Sequence, residues 1–300
     1  MAIIRSANTE YQFGVGAILF SSLLWGTTGT AATFAPNVSP AAMGAFAMGG
    51  GGLILAVSAY RQVRHHYLKI LLLKRLWLFS ALALAIYPLA FYTAMGLAGV
   101  AVGTVVSIAS APFFAAVLEC LISKEVNITK RWFVSFALGL VGIALLAFSE
   151  SSTGENNTDK MMGIALGLLA GLTYAIYAWG AKTMIDKGVQ SQAAMGSIFG
   201  LGAMVLLPSL LFSGDNLFAS STNTIVVFYM AVIPMALGYF AFGYGLRHIK
   251  ASSASLLTLL EPGVAAILAV LVVGEVISPV GWFGITLILL CLWGQTSLKS

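Results

Sequence analysis

Long apolar segments and short polar connections alternate along the whole chain. Apolar runs of about 17 to 25 residues are long enough for an α-helix to cross the hydrocarbon core of a bilayer. Ten such runs are present, at 12–34, 41–60, 77–97, 100–122, 131–149, 161–183, 192–213, 223–246, 250–273 and 278–296. The pattern predicts an all-α integral membrane protein with ten transmembrane helices.

The composition agrees with lipid as the main solvent of this chain. Hydrophobic residues make up 59% of the 300 positions and charged residues 8%, whereas soluble domains carry about 25% charged residues. The net charge of +5 comes from basic residues scattered among short loops, so no nucleic-acid partner is predicted. Cys120 and Cys291 fall in apolar segments without metal-ligand spacing, and neither a metal nor another cofactor is predicted.

The basic residues predict the orientation, because Lys and Arg accumulate in cytoplasmic loops. With the N-terminus inside, 14 of the 15 basic residues lie on the cytoplasmic side and only Lys160 lies outside. The cytoplasmic set is Arg5, Arg61, Arg64, Lys69, Lys74, Arg75, Lys124, Lys130, Arg131, Lys182, Lys187, Arg247, Lys250 and Lys299. This partition predicts cytoplasmic N- and C-termini, in a bacterial inner membrane. The pattern does not fix the oligomeric state, and a monomer is compatible with it.

An internal duplication is visible when the sequence is shifted by 150 positions, which places 111–133 beside 261–283. The shared residues include Pro112 and Pro262, Glu125 and Glu275, and Trp132 and Trp282. We therefore expect two five-helix repeats, 1–150 and 151–300. Because five is odd, the second repeat enters the membrane from the opposite side, as in alternating-access carriers. The alternative is a ten-helix bundle with another role.

Glu261 is the most informative ionisable residue, because it lies 11 residues beyond Lys250 in the ninth segment. That is about 16 Å into a hydrocarbon core about 30 Å thick, which is the midplane. A charge there costs about 2.5 to 3.5 kcal/mol, so such residues usually face a cavity and mark a proton or substrate path. Loss of hydration favours the neutral carboxyl, so Glu261 is predicted to exchange a proton near neutral pH. The alternative is a structural carboxyl, permanently protonated or hydrogen-bonded between helices.

Proline positions predict polar breaks and hinges in the membrane. Pro262 has no amide hydrogen and is expected to leave the carbonyl of Thr258 without its helical partner, which adds a polar group beside Glu261. Pro88 and Pro234 lie near the middle of the third and eighth segments. Each of these three prolines is a candidate hinge.

Aromatic and hydroxyl residues within the segments are candidates for lining a substrate cavity, although each is alternatively a packing residue. The candidates are Trp25, Ser22, Thr28, Tyr87, Tyr92, Tyr174, Tyr177, Tyr239, Tyr244 and Thr258. Glu119 lies near the cytoplasmic end of the fourth segment and is interpreted as an interfacial carboxyl. The run from Gly49 to Gly52 lacks the Lys-Ser/Thr of a phosphate-binding loop and predicts close helix packing instead.

Several motifs occur together along nearly the whole chain. They are Leu24-Trp25-Gly26, the passage 238–255, Leu260-Glu261-Pro262 and the following Gly274-Glu275. With the duplication, they make the chain resemble the EamA-type ten-helix exporters of the drug/metabolite transporter superfamily, including the threonine/homoserine exporter branch. The resemblance implies two inverted repeats around a central cavity, lined by Glu261 and Trp25, and efflux of small metabolites. Ala111 occupies the position of Glu261 in the first repeat, so an asymmetric cavity is expected.

These features together predict a secondary transporter that exports amino acids, amines or related drugs by proton-coupled alternating access. Its expected partners are a small-molecule substrate, the lipid bilayer and protons. No Lys or Arg is predicted within the membrane, which favours a zwitterion or cation over an anion. The alternatives are a facilitative uniporter or importer and, from another class, a membrane-embedded enzyme or scaffold subunit. An enzyme is disfavoured because the chain has no H-E-x-x-H, G-x-S-x-G or paired intramembrane carboxylates.

Overall fold

A computed structural model describes residues 2–98, 100–124, 129–148, 157–274 and 276–296. The first half contains the helices α1 (Ala2–Thr33), α2 (Pro40–Ser58), α3 (Tyr60–His65), α4 (Tyr67–Leu72), α5 (Lys74–Ala98), α6 (Val100–Leu121) and α7 (Lys130–Phe148). The second half contains α8 (Asn157–Asp186), α9 (Ser191–Ser213), α10 (Ser221–Met230), α11 (Gly238–Gly245), α12 (Ala251–Leu257), α13 (Leu260–Leu268) and α14 (Pro279–Thr296). Two π-helical stretches follow α10 and α13, at Ala231–Leu237 and Ala269–Val273.

The helices confirm the predicted fold of ten membrane-crossing segments in two inverted repeats. Eight segments in the described part of the chain are long and apolar enough to cross a bilayer, and α7 and α14 are the two further apolar helices. The eighth segment consists of α10, a π-helix and α11, and the ninth of α12, α13 and a π-helix. Gly274 ends the ninth segment in a left-handed conformation with φ of 83°, which favours glycine. The neighbouring Glu275, like Glu125, lies outside the described residues.

The connection between the second and third segments is helical, although only a basic loop was expected there. The two short helices α3 and α4 occupy it, and Ile70 of α4 is buried. Lys69 donates a hydrogen bond of 3.1 Å to the carbonyl oxygen of Gly188, in the connection between α8 and α9. Side-chain and backbone contacts of this kind fix the segment against the second half of the chain.

The two halves pack against each other rather than as separate bundles. The most extensive contacts between halves join α5 to α8, α6 to α8, α2 to α9 and α7 to α14. When the two repeats are exchanged, α8 corresponds to α1, α5 to α11 and α6 to α13. The contacts of α11 and α13 with α1 therefore correspond to the contacts of α5 and α6 with α8. Gly14 of α1 approaches His248, and Gly163 of α8 approaches Ala98, which lies 150 positions before His248. The contacts therefore follow the pseudo-two-fold relation of inverted repeats.

The two ends of the bundle can be distinguished by their contacts. At the end where α1 begins, Gly14 approaches His248 in the connection between α11 and α12. At the same end, Arg131 at the start of α7 donates a hydrogen bond to the carbonyl oxygen of Gly294 near the end of α14. We call this the terminal end, and the other the opposite end.

The glycine run in α2 lies where α2 meets the second half. The carbonyl oxygen of Phe199 in α9 is 2.6 Å from the position that a Cβ of Gly52 would take, and a Cβ of Gly51 would lie 2.5 Å from the Cβ of Met235. Close approach of backbones is typical of small residues in membrane helices. The expectation that this run serves helix packing agrees with these distances.

Replacing Gly52 by Ala is therefore expected to destabilise the folded protein. The added methyl group collides with backbone atoms of α9, which cannot move as freely as a side chain, and overpacking of this kind costs about 1 to 3 kcal/mol. Thermal unfolding in detergent measures the loss. Gly16→Ala is the control because nothing lies within 4 Å of the added carbon, and equal unfolding temperatures for the two variants would contradict the packing explanation.

Candidate transport cavity

A cavity lies between the two halves, and it contains about 510 Å³ of empty space including its mouth. Its walls come from α1, α2, α5, α8, α11, α13 and the π-helix after α10. The lining residues are Trp25, Thr28, Gly44, Ala47, Met48, Tyr87, Pro88, Phe91, Tyr92, Tyr174, Met235, Tyr239 and Glu261. Among these described lining residues, Glu261 is the only carboxyl, and there is no Lys, Arg or His. The cavity is thus mostly aromatic with a single acid.

Glu261 occupies the first turn of α13, directly after a break in the ninth segment. The break falls at Thr258 and Leu259, between α12 and α13. The amide of Glu261 donates a 3.0 Å hydrogen bond to the carbonyl oxygen of Thr258. The expectation that Pro262 leaves this carbonyl without a partner is therefore wrong, because the chain tightens by one residue and satisfies it.

The carboxylate of Glu261 is half-buried and faces the cavity. Within the described part of the chain, no hydrogen bond or ion pair occupies it. A half-buried acid without a partner among the described residues leaves its oxygens available to a proton or to a bound cation.

Trp25 holds α1 against the second half at the edge of the cavity. Its indole nitrogen donates a 2.9 Å hydrogen bond to the carbonyl oxygen of Pro234. That carbonyl lies within the π-helix at Ala231–Leu237, where the wider turn disturbs the regular hydrogen bonding. The indole also packs 4.6 Å from the Tyr239 ring, and Gly238 leaves the space that the indole needs, since a Cβ there would lie 2.7 Å from the indole nitrogen.

Four tyrosine rings form a wall beside Glu261. The hydroxyl groups of Tyr177 and Tyr239 share a hydrogen bond of 2.8 Å. Tyr174 packs 5.6 Å from Tyr87 and 5.1 Å from Tyr177 between ring centroids. Such tilted contacts are favourable for aromatic rings, and they fix the ring positions without filling the cavity.

Comparison with known proteins identifies the type of molecule that carries this cavity. The EamA-like transporter family matches residues 12–148 and again residues 161–295. The chain belongs to the EamA-like transporter family. The two matches each cover five membrane segments of this EamA-like protein.

Relatives of this EamA-like chain are described as transporters. The chain is 34% identical over 280 residues to a Bacillus subtilis protein described as the uncharacterized transporter YwfM, covering 92% of this chain and 90% of the relative. It is 24% identical over 196 residues to the Escherichia coli K12 protein described as the uncharacterized inner membrane transporter YedA, covering 64% of this chain and 59% of the relative. A solved crystal structure is similar with a TM-score of 0.77 at 15% identity, covering 94% of this chain and 95% of that chain, which shows the fold alone. This EamA-like chain is therefore a multi-pass membrane transporter.

The structure brings together most of the side chains that the sequence suggested for the cavity. Trp25, Thr28, Tyr87, Tyr92, Tyr174, Tyr239 and Glu261 line it. Ser22, Tyr177 and Thr258 are buried behind the lining, and the hydroxyls of Ser22 and Thr258 donate to Ile18 and Ser255 carbonyl oxygens at 2.9 and 2.8 Å.

Tyr244 lies elsewhere, which corrects its expected place in the cavity. It follows Tyr239 by five residues, so it points to another side of α11. Tyr244 is 38% exposed and its ring packs against His248, with the Arg247 guanidinium 5.3 Å from the ring centroid.

The three prolines occupy different settings: Pro88 lines the cavity within a continuous α5, Pro234 lies in a π-helix, and Pro262 follows the break. Their hinge role stays a prediction.

The sequence did not point to five other lining residues. They are Gly44, Ala47, Met48, Phe91 and Met235. Small and apolar residues are common in every membrane segment, so their type carries no information about a cavity. Phe91 was the one that spacing could have found, because it lies one helical turn after Tyr87 and stacks near it at 5.8 Å.

Accessibility along the cavity differs between its two ends. Thr28 and Tyr92, which lie towards the opposite end, are half-buried, whereas Ser22 and Tyr177 are buried on the side of the terminal end. The hydroxyl groups of Tyr177 and Tyr239 form their hydrogen bond on that side. The accessible part of the cavity in this conformation therefore lies towards the opposite end.

The glycine of the Leu24-Trp25-Gly26 step allows α1 to touch α13 at Glu261. A Cβ at Gly26 would lie 2.9 Å from the carbonyl oxygen of Glu261 and 2.6 Å from the Cβ of Val264. Gly26→Ala is expected to displace α13 and to lower transport at least about tenfold, since misplacement by 1 Å can cost more than that. Flux in proteoliposomes checks it. Gly29→Ala, with nothing within 4 Å, is the matched control, and equal flux for the two variants would refute this account.

Proposed function

We propose that this chain is a proton-coupled exporter of small amines or zwitterionic metabolites, working by alternating access. The observation that carries the proposal is a single carboxyl group, Glu261, without a protein partner among the described residues, in an aromatic cavity between two inverted repeats. Carriers of this architecture bind substrate near the midplane at the repeat interface. The chemistry of the lining suits amino acids, amines and related drugs.

The lining supports a positively charged group on the substrate. A carboxylate attracts an ammonium group, and the faces of Trp25, Tyr87 and Tyr239 add cation–π attraction, worth about 0.5 to 2 kcal/mol for a desolvated cation. The described lining offers no basic side chain to an anion. A purely anionic substrate would instead bring its charge next to Glu261.

Coupling follows from competition for one carboxylate. Glu261 can hold either a proton or the ammonium group of the substrate, because both neutralise the same charge in a site of low polarity. Substrate would leave on the outer side when a proton replaces it, and the protonated cavity would return to the cytoplasmic side. A proton gradient directed inwards then drives export.

The basic loops support an orientation for this cycle. We place the terminal end, with Arg64 and Lys69, in the cytoplasm of a bacterial cell and the opposite end, with Asp159, outside its inner membrane. The accessible part of the cavity then faces outwards. The conformation described here would be the one that releases substrate and takes up a proton.

The coupling test is counterflow in proteoliposomes with radiolabelled amino acids, amines and nucleosides. A gradient of one pH unit can drive about tenfold accumulation for one-to-one exchange. Wild-type protein should show that dependence with one substrate class. Glu261→Gln, which cannot lose a proton, should exchange that class more weakly because the carboxylate that attracts the ammonium group is lost, and the exchange that remains should not respond to the gradient.

Glu10→Gln is the control for coupling, because Glu10 lies outside the cavity with 68% of its side chain exposed. It should behave as wild type. A gradient response that survives in Glu261→Gln would remove the coupling proposal and favour a facilitative carrier. No flux of any panel member by folded wild-type protein would remove the transport proposal for these substrate classes.

The orientation is tested by labelling with a membrane-impermeant thiol reagent. In a protein with Cys120→Ala and Cys291→Ala, the exposed positions Arg64→Cys and Asp159→Cys report the terminal and opposite ends. Asp159→Cys should react in intact cells whose outer membrane is permeable, whereas Arg64→Cys should react only in inside-out vesicles. The reverse pattern would overturn the proposed orientation, and the conformation described here would then be the one that is open to the cytoplasm.

A further inference from the structure

Glu119 forms a contact between the repeats at the terminal end of the cavity. Its carboxylate accepts a hydrogen bond of 3.0 Å from the backbone amide of Ser252 and a second one from the Ser252 hydroxyl group. Glu119 is 8% exposed and Ser252 is 6% exposed. The interpretation of Glu119 as an interfacial carboxyl is therefore wrong, because the side chain turns away from lipid headgroups into the protein.

The two hydrogen bonds are the contacts that satisfy this carboxylate. Neither the ion pair of Lys182 with Asp186 nor the 3.7 Å contact of His248 with Glu10, the two such contacts in the described part of the chain, includes Glu119. A buried acceptor that loses its donors pays the full cost of desolvation, and the cost is larger for a charged group. The contact between Glu119 and Ser252 consequently resists separation of α6 from α12.

The contact lies where opening of the terminal end would occur. Glu119 is in the last turn of α6, in the first repeat, and Ser252 begins the helical segment that leads to Glu261 in the second. Near the same end, the indole of Trp179 donates a 2.9 Å hydrogen bond to the hydroxyl group of Ser123, again between repeats. Access to Glu261 from this end requires α6 and α12 to separate.

The repeat relation shows that this contact exists at one end only. The shift of 150 positions places Ala269 opposite Glu119 and Val102 opposite Ser252. Neither Ala269 nor Val102 has a side-chain hydrogen-bonding group. When the two repeats exchange their conformations, the terminal end opens and the opposite end closes. Ala269 and Val102 then cannot form the contact that Glu119 and Ser252 form at the terminal end.

We propose that Glu119 and Ser252 form a one-sided latch that biases this carrier towards the conformation closed at its terminal end. The proposal rests on alternating access as proposed above. The latch sets the balance of the two conformations, whereas Glu261 binds substrate and proton. Loss of the latch should shift the protein towards the conformation open at the terminal end.

The test compares thiol labelling at two positions without substrate and without a pH gradient. In the Cys120→Ala and Cys291→Ala background, Ser255→Cys reports access from the terminal end, because Ser255 is buried one turn beyond Ser252 and its hydroxyl group has no partner among the described residues. Thr28→Cys reports access from the opposite end. A membrane-impermeant methanethiosulfonate is applied to each face, and the labelling rates are measured.

Glu119→Ala should raise the labelling rate of Ser255→Cys at least about tenfold and lower that of Thr28→Cys, because two hydrogen bonds to a charged group are lost. Ser252→Ala should give a smaller shift in the same directions, since its backbone amide remains. Ser252→Thr should restore the wild-type rates because it keeps the hydroxyl group.

Glu10→Ala is the control, an acid at the same end. Burial lowers the pKa of His248, 3.7 Å from Glu10, so the imidazole is neutral at pH 7 and no ion pair is lost. Its labelling rates should match wild type.

Unchanged rates in both Glu119→Ala and Ser252→Ala would overturn the latch. A rise at both reporter positions would also overturn it, because general loosening, unlike a shift between two conformations, opens both ends. These outcomes do not depend on proton coupling, so the latch and the role of Glu261 can fail separately.

Discussion

A carboxyl group in the middle of a bilayer is tolerated only where the protein supplies a cavity or a partner, and this constraint organises the whole molecule. Two repeats of opposite topology enclose the space, aromatic rings line much of it, and Glu261 faces it from the start of α13. The close contact of α1 with α13 at Gly26 and the hydrogen bond from Trp25 to Pro234 fix the walls around the acid. The site is therefore built at the junction of the repeats, and neither repeat forms it alone.

The duplication explains which features of the cavity are shared and which are unique. Trp25 of α1 and Tyr174 of α8 occupy nearly equivalent places, and both line the cavity. At the position equivalent to Glu261 the first repeat has Ala111, which is buried against α8 near Gly171. Among the described lining residues, only the second repeat contributes a carboxyl group to the cavity. The contact between Glu119 and Ser252 is likewise present at one end only, so a symmetric framework carries asymmetric chemistry.

The sequence was sufficient to predict the fold, because a membrane-crossing helix can be recognised from its length and its apolar composition. Glu261 could also be recognised as a candidate site residue from the sequence, since an acidic residue far from both ends of an apolar segment has few explanations. Tyr239 and Tyr244 lie five residues apart and therefore point to different sides of α11, but the sequence could not show which of them faces the cavity, because the π-helix before them changes the helical phase. Glu119 was misjudged because its partner Ser252 lies 133 positions away and serine is common. Contacts between distant segments depend on three-dimensional packing, which spacing along the chain does not reveal.

The most direct test of the central claim is proton release on substrate binding. Purified protein in weakly buffered detergent solution, with a pH indicator, is mixed with the amine or zwitterion that it exchanges. If substrate and proton compete for Glu261, wild-type protein at a pH where this carboxyl is protonated should release up to one proton per bound substrate. Glu261→Gln should bind substrate more weakly and, at a concentration that still occupies it, release no proton. Substrate binding to wild type without release across the pH range, or equal release by the variant, would contradict the account.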